Sequence, residues 1–204
     1  IKSVIVASSD KAYGHYPKHK LPYKEDYELK AEFPYDTSKA CADMITRSYS
    51  NKLFNLPIII TRFANIYGPG QLNFTAIIPE AIRCCLLNKK FIFRSDGLSI
   101  RDFIYIDDIT DLYKLLAKNL YINPKKFSGE IFNAGTNIQH QMKDIIEKIF
   151  IHGKRKIELK SIFRRIKNNK TTGEISSQYM DYDKLNMYFG WNPKRKFINT
   201  LPSL

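Results

Sequence analysis

The chain reads as an α/β protein built on a doubly wound parallel sheet, and three observations carry that reading. Two β-branched runs, Ile1 to Ala7 and Ile58 to Phe63, suit strands buried on both faces. Between them Ala40, Met44, Ile45, Tyr49 and Leu53 recur at helical spacing, and strand, helix and strand make a βαβ unit, for which a parallel, right-handed crossover is the commonest solution. Each run also ends in a polar, turn-rich segment, Ser8 to Lys11 after the first and Asn65 to Gly70 after the second. In open α/β sheets ligands bind beyond the carboxyl ends of strands, so both segments are where chemistry is expected.

Taken in order, the first strand gives way at Ser8 to a loop rich in Pro, Tyr and charge, from Tyr13 to Pro34. Pro34 marks a helix boundary, because the residue before a proline is pushed out of the helical region. The helix is expected from Asp36 to about Phe54, closed by Pro57, and the second strand follows. After the Gly68-Pro69-Gly70 turn, Ile77 to Leu87 reads as a helix and Phe91-Ile92-Phe93 as a short strand, with Ser95-Asp96-Gly97 a turn. Ile100 to Ile106 alternates like a strand, and Asp107-Asp108 then caps a helix to about Leu120. Glu130 to Asn133 is another short strand, Met142 to Phe150 a helix, and Asp183 to Phe189 a last short helix before Gly190-Trp191-Asn192-Pro193.

Composition narrows the class. Among 204 residues the hydrophobic content of 44% is that of a folded globular protein, and no apolar run approaches the ~18 residues of a membrane span. A soluble cytoplasmic protein without a membrane partner is the expectation. The net charge is +13, and Lys154 to Lys170 holds eight Lys or Arg against one acid, Glu158. Such a cluster suits a solvated basic face, an anionic substrate or nucleic acid; no zinc-finger spacing or ribonucleoprotein-type aromatic motif accompanies it, so nucleic acid is not expected. Cys41, Cys84 and Cys85 lack C-x-x-C spacing and read as reduced core thiols, and the four histidines show no ligand spacing, so no metal site is expected.

The chemistry centres on Tyr35 and Lys39. Side chains at i and i+4 of a helix lie one above the other, so the lysine cation can favour the phenolate of a tyrosine that otherwise titrates near pKa ~10. No G-x-G-x-x-G fingerprint is formed by the nine glycines, which leaves Gly68-Pro69-Gly70 as a turn.

Seven motifs then fall in order: Ser-Ser-Asp-Lys-Ala-Tyr-Gly at 8 to 14, Pro-Tyr-Asp-Thr-Ser-Lys-Ala at 34 to 40, Arg-Phe-Ala-Asn-Ile-Tyr-Gly-Pro-Gly at 62 to 70, Ile-Pro at 78 and 79, Arg-Asp-Phe-Ile-Tyr-Ile-Asp-Asp at 101 to 108, Phe-Asn-Ala-Gly at 132 to 135, and Gly-Trp-x-Pro at 190 to 193. Together they resemble the extended short-chain dehydrogenase/reductase superfamily, within it the nucleotide-sugar 4,6-dehydratases, and most closely the CDP-glucose type. The resemblance implies NAD as cofactor, with NADP left open, a nucleotide-diphosphate sugar as substrate, and a homodimer packed through the helix that carries Tyr35. It implies that Tyr35 takes the C4 hydroxyl proton, that Lys39 lowers the tyrosine pKa and holds the nicotinamide ribose, and that Ser9 hydrogen-bonds the C4 oxygen. Ser8 and Phe63 join Tyr35 and Lys39 at the cofactor. Asp10 fits the acid that protonates the hydroxyl leaving C6, and Lys11 stands where dTDP-glucose enzymes carry a glutamate base. Asn65, Asn73 and Arg101 are the implied substrate contacts, Arg101 for the diphosphate because a planar guanidinium matches phosphate bidentately.

The resemblance aligns Ile1 with a strand midway through the family's cofactor domain. The expectation is therefore the second half of a Rossmann-like sheet, residues 1–63 and 98–136, plus a smaller C-terminal substrate lobe, residues 64–97 and 137–204. A fragment of this kind is expected to be inactive alone. Two alternatives stay open: a nucleotide-sugar 4-epimerase, and a catalytically incomplete or non-enzymatic partner subunit.

Overall fold

The computed structural model describes residues 1–166 and 175–204, so the basic stretch from Lys154 to Lys170 runs partly outside the described residues. In chain order the first elements are β1 (Val4–Ser9), α1 (Pro34–Tyr49), β2 (Ile58–Phe63), β3 (Asn65–Tyr67) and α2 (Ile77–Leu86). Then come β4 (Ile100–Arg101), β5 (Phe103–Tyr105), α3 (Ile106–Ile122), α4 (Pro124–Phe127) and β6 (Ile131–Ala134). The rest are β7 (His140–Gln141), α5 (Met142–His152), α6 (Lys156–Ile166), β8 (Ser177–Gln178), α7 (Asp183–Phe189) and α8 (Phe197–Thr200).

The expected parallel sheet is present, in the order β1-β2-β6, with Ser9 beside Phe63 and Phe63 beside Ala134 at its carboxyl end. All six residues of β2 are buried, as a central strand covered on both faces requires. Helix α3 supplies the apolar stripe Ile109, Leu112, Leu116 and Leu120 at helical spacing, and this packs with Ile59, Phe63 and Phe132. Leu185 of α7 and Trp191 join the same core, so the chain returns to the parallel sheet after position 180. A second core gathers α2, α5 and α6 around Tyr67, Phe103 and Tyr105.

A third, smaller cluster of Tyr13, Tyr16, Tyr23 and Met180 fastens the loop between β1 and α1 as a strap. Tyr13 and Tyr23 stack with ring centroids 4.7 Å apart, and the Tyr23 hydroxyl donates to Gly14 O. Gly14 sits at φ +68°, where a Cβ would fall 1.9 Å from Lys30 O, so the crossing of the strap admits only glycine.

Beneath the strap lies a buried polar hub. Arg62, 1% exposed, donates from Nε and Nη2 to the two carboxylate oxygens of Asp43 on α1, at 2.8 and 3.0 Å. Its Nη1 donates to the Tyr13 hydroxyl and to Glu25 O, and Tyr13 in turn donates to Asn133 Oδ1 of β6. Arg62 is thus structural in its contacts.

Several sequence expectations need correction. Helix α1 begins at Pro34 and stops at Tyr49, not near Phe54; Leu53 is 83% exposed and has no core to pack against. Phe91-Ile92-Phe93 forms no strand. Phe91 and Phe93 point inward with their rings 5.6 Å apart and Ile92 points outward, so the alternation reported burial without a partner strand. The run Ile100 to Ile106 breaks at Asp102 into β4 and β5, which pair in different sheets, and Ile106 already belongs to α3. Asp107 and Asp108 do not cap that helix: its N-cap is Tyr105, and the Asp108 carboxylate instead accepts from Lys194 N, Arg195 N and Arg195 Nη1. Cys41 is exposed, unlike Cys84 and Cys85. Among the described residues no helix is long and apolar enough to cross a membrane.

The hub yields a stability prediction. Removing one partner of a buried ion pair strands the other charge, so Asp43→Ala should cost about 3–5 kcal/mol in equilibrium urea unfolding. A loss below about 1 kcal/mol, the size of a surface pair, would show that the hub does not hold α1 to the sheet.

Candidate active site

The turn after β1 is built by its own side chains. Ser9 caps the 3-10 turn Asp10–Tyr13: its Oγ accepts from Lys11 N and donates to Asp10 Oδ1, both at 3.2 Å. Asp10 is 2% exposed, and its Oδ2 has no hydrogen-bond partner among the described residues. Burial pushes its carboxyl above the ordinary range, against the opposing pull of Lys11, Arg101 and the Ser9 hydrogen bond. Ser8 Oγ, also at this strand end, is buried without a partner among the described residues.

Helix α1 brings Tyr35 to the same turn, because Pro34 at its first position fixes where the helix starts. Tyr35 is 57% exposed, and Lys39 Nζ lies 5.7 Å from its ring centroid. The expected lowering of the phenol is not what this geometry gives. Partial burial raises it first, the Asp10 and Asp36 charges raise it further, and hydrogen bonding with Ser9 opposes them.

Lys11 joins this cluster to a cavity of about 770 Å³. Its Nζ donates to Gln178 Oε1 of β8, and its charge also reaches Asp10 and Asp36. The cavity is lined by Lys11, Asn65 and Arg101 on one side and by Lys90, Phe91, Phe93 and Arg94 among others. Four of these are cationic, which suits an anionic ligand with an aromatic or apolar part. Arg101 is 4% exposed and donates from Nη1 to Ile100 O, while Asn65 donates to Asp102 O.

Two expected site residues lie elsewhere. Asn73 does not line the cavity; it is exposed, and its Oδ1 accepts from Thr75 N and Thr75 Oγ1, which ties up the side chain in a local turn. Phe63 ends β2 beside Ser9, but its ring is buried in the sheet core, 5.7 Å from that of Tyr113. Conversely, Gln178, Tyr23 and Asn133 take part in the site or its support without having been singled out. Of these, only Asn133 stood in a motif, Phe-Asn-Ala-Gly, that could have pointed to it.

Residues 1–135 match the NAD dependent epimerase/dehydratase family. The chain belongs to that family. It is 39% identical over 116 residues to a dTDP-D-glucose 4,6-dehydratase of Dictyostelium discoideum, a match covering 57% of this chain and 25% of that protein. It is 29% identical over 149 residues to the human dTDP-D-glucose 4,6-dehydratase, covering 73% of this chain and 40% of the relative. The solved structure of dTDP-glucose 4,6-dehydratase from Bacillus anthracis in complex with NAD superposes with a TM-score of 0.84 at 28% identity, over 98% of this chain and 59% of that one. A UDP-N-acetylglucosamine 4-epimerase from Methanobrevibacter ruminantium shares the fold, with a TM-score of 0.78 at 23% identity over 100% of this chain and 61% of that one. The chain thus spans well under half the length of these curated relatives.

Two buried carboxyls give a pH prediction. Burial raises Asp102 to about 6 and Asp181, just after β8, to about 6 as well. A carboxyl raised on folding binds its proton more tightly in the folded state, so stability falls as pH rises from about 4 to 6 and the cost is fully present above that. Asp181→Asn should therefore raise unfolding free energy by about 1–3 kcal/mol at pH 7.5 and change little at pH 4. A uniform effect at both pH values would assign the substitution to packing instead.

Proposed function

We propose that the chain carries the substrate-side machinery of a nucleotide-sugar 4,6-dehydratase, with a nucleotide-diphosphate hexose in the cavity and NAD above the turn after β1. The single observation that carries this reading is Asp10, a carboxyl buried at the strand end and pushed toward its protonated form, next to Ser9 and Tyr35. A reaction that only interconverts C4 configurations has no leaving hydroxyl to protonate. One that expels water does. The dehydratase names of the Dictyostelium and human relatives and of the Bacillus structure support the same reading.

Ser8, whose buried hydroxyl has no partner among the described residues, and the Tyr35–Lys39 turn offer polar groups suited to the nicotinamide ribose. NAD, when bound, supplies the acceptor for hydride from C4 and its return to C6. Ser9 hydrogen-bonds the C4 oxygen, and Tyr35 removes the hydroxyl proton once the Lys39 ammonium, now beside the ring, bears on the phenol oxygen. The resulting 4-keto group acidifies C5. Lys11, facing the cavity, is placed to take the C5 proton after its ammonium has passed a proton to solvent, and Asp10 gives its own to the departing hydroxyl. Arg101, with Lys90 and Arg94, suits the diphosphate. The exposed Met44, Ile45 and Tyr49 on α1 support the pairing of two copies through that helix.

A product assay tests the reading. The protein expressed from its complete gene, supplied with NAD and a nucleotide-glucose, should form a 4-keto-6-deoxy sugar; simple inversion at C4 would replace the dehydratase by the epimerase. Asp10→Asn should slow water loss by about 10²–10⁴-fold while oxidation at C4 continues, so that reduced cofactor accumulates and can be followed by its absorbance.

A further inference from the structure

We propose that Gln178 is a positioning residue for Lys11: its side-chain carbonyl takes the Lys11 ammonium at the back of the cavity and keeps it from closing onto the Asp10 carboxyl. This deepens the dehydratase reading and rests on it. Lys11 Nζ donates to Gln178 Oε1, although the two residues lie 167 positions apart. An ammonium has donors only, so the amide must turn its oxygen to Lys11, which leaves Gln178 Nε2 buried without a hydrogen-bond partner among the described residues.

The amide has little freedom to do otherwise. Gln178 is fully buried, its backbone carbonyl accepts from Asp102 N at 3.1 Å, and it lies in register with Arg101 across β4 and β8. The next residue is held too, since Tyr179 O accepts from Tyr23 N of the strap at 3.0 Å. Gln178 is therefore a fixed acceptor delivered from the C-terminal part of the chain to a turn near its start.

A neutral acceptor matters because of what surrounds Lys11. Asp10 feels the cations Lys11 and Arg101, and its own charge is felt by Tyr23 on the strap, Tyr35 on α1 and Asp102 before β5. Asp36 on α1 also feels Lys11. Lys11 in direct contact with Asp10 would stabilise the carboxylate and strip the site of its acid. Gln178 binds the same ammonium without bringing a further negative charge, so burial continues to dominate at Asp10.

Two substitutions separate the terms. Gln178→Met removes the acceptor at nearly constant length, and Gln178→Glu keeps it and adds a charge. In the protein expressed from its complete gene and loaded with NAD, Gln178→Met should lower dehydration by about ten- to a hundredfold and move the alkaline limb of its pH profile to lower pH. Gln178→Glu should move that limb to higher pH. In a Lys11→Met background, Gln178→Met should move nothing further. The Asp10 carboxyl titration, followed by carbon NMR, reads the same geometry without turnover: its proton affinity should fall about tenfold or more in Gln178→Met and rise in Gln178→Glu. Unchanged titration in the variants overturns the positioning role even if the enzyme makes its product. The stated titration shifts without any 4-keto-6-deoxy product leave the positioning role standing and overturn the dehydratase reading. Should Gln178→Met fail to fold, the sign of the Gln178→Glu shift decides.

Discussion

Arg62 projects from a strand whose six residues are all buried, and a guanidinium in that position is tolerable only with its charge and donors met. Asp43 meets the charge with two parallel bonds, and the Tyr13 hydroxyl and Glu25 carbonyl meet what remains. Those partners come from α1 and from the strap, so satisfying one buried cation fixes three pieces of chain against each other. Tyr35 and Lys39 lie two turns and one turn before Asp43 on the same helix, and Asp10 and Lys11 lie just before Tyr13. Their mutual placement is inherited from the hub. A chain of bonds through Tyr13 and Asn133 then carries the constraint to β6 and, through Asn133 Nδ2, to Tyr23 O.

What was legible from sequence follows the range of the interactions. The apolar runs of β1 and β2, α1 and the Tyr35–Lys39 pair rest on spacings of a few residues, and periodicity exposes them directly; the parallel pairing of β1 with β2 follows from the crossover preference of a βαβ unit. The short helix expected near Asp183 to Phe189 is α7, and Gly190 at φ +63° gives it a left-handed stop after Phe189. Phe91 to Phe93 shows the converse. Its alternation is real, yet a ladder needs a partner strand, and nothing in three residues says whether one is near. The contact between Lys11 and Gln178 belongs to the same class, since no local pattern marks a glutamine for a lysine so distant in the chain. Asn73 illustrates a third limit: the residue type suited a sugar, but a hydroxyl two positions away claimed its side chain first.

Asp102 explains why the run around it had to break. Its N–H donates to Gln178 O, its carbonyl accepts from both Asn65 N and Asn65 Nδ2, and its carboxylate accepts from Thr136 N, Thr136 Oγ1 and Asn137 N. One fully buried residue thus meets the end of the parallel sheet after β6, the small sheet containing β8, and the start of β3. A continuous strand would alternate its side chains between two faces and could not serve three neighbours in this way. The fit is close enough that a Cβ at Gly135 would lie 2.4 Å from Asp102 Oδ2 and 2.5 Å from Met180 Cγ. Arg101, immediately before, is thereby set into the cavity wall, while Gln178 opposite it is set toward Lys11. The cost of the seam is a carboxyl carried above its ordinary range despite three donors, because burial outweighs them. The sheet break therefore couples the two parts of the candidate site: it spends regular strand pairing and carboxyl solvation to hold a cation and an amide at the back of one cavity.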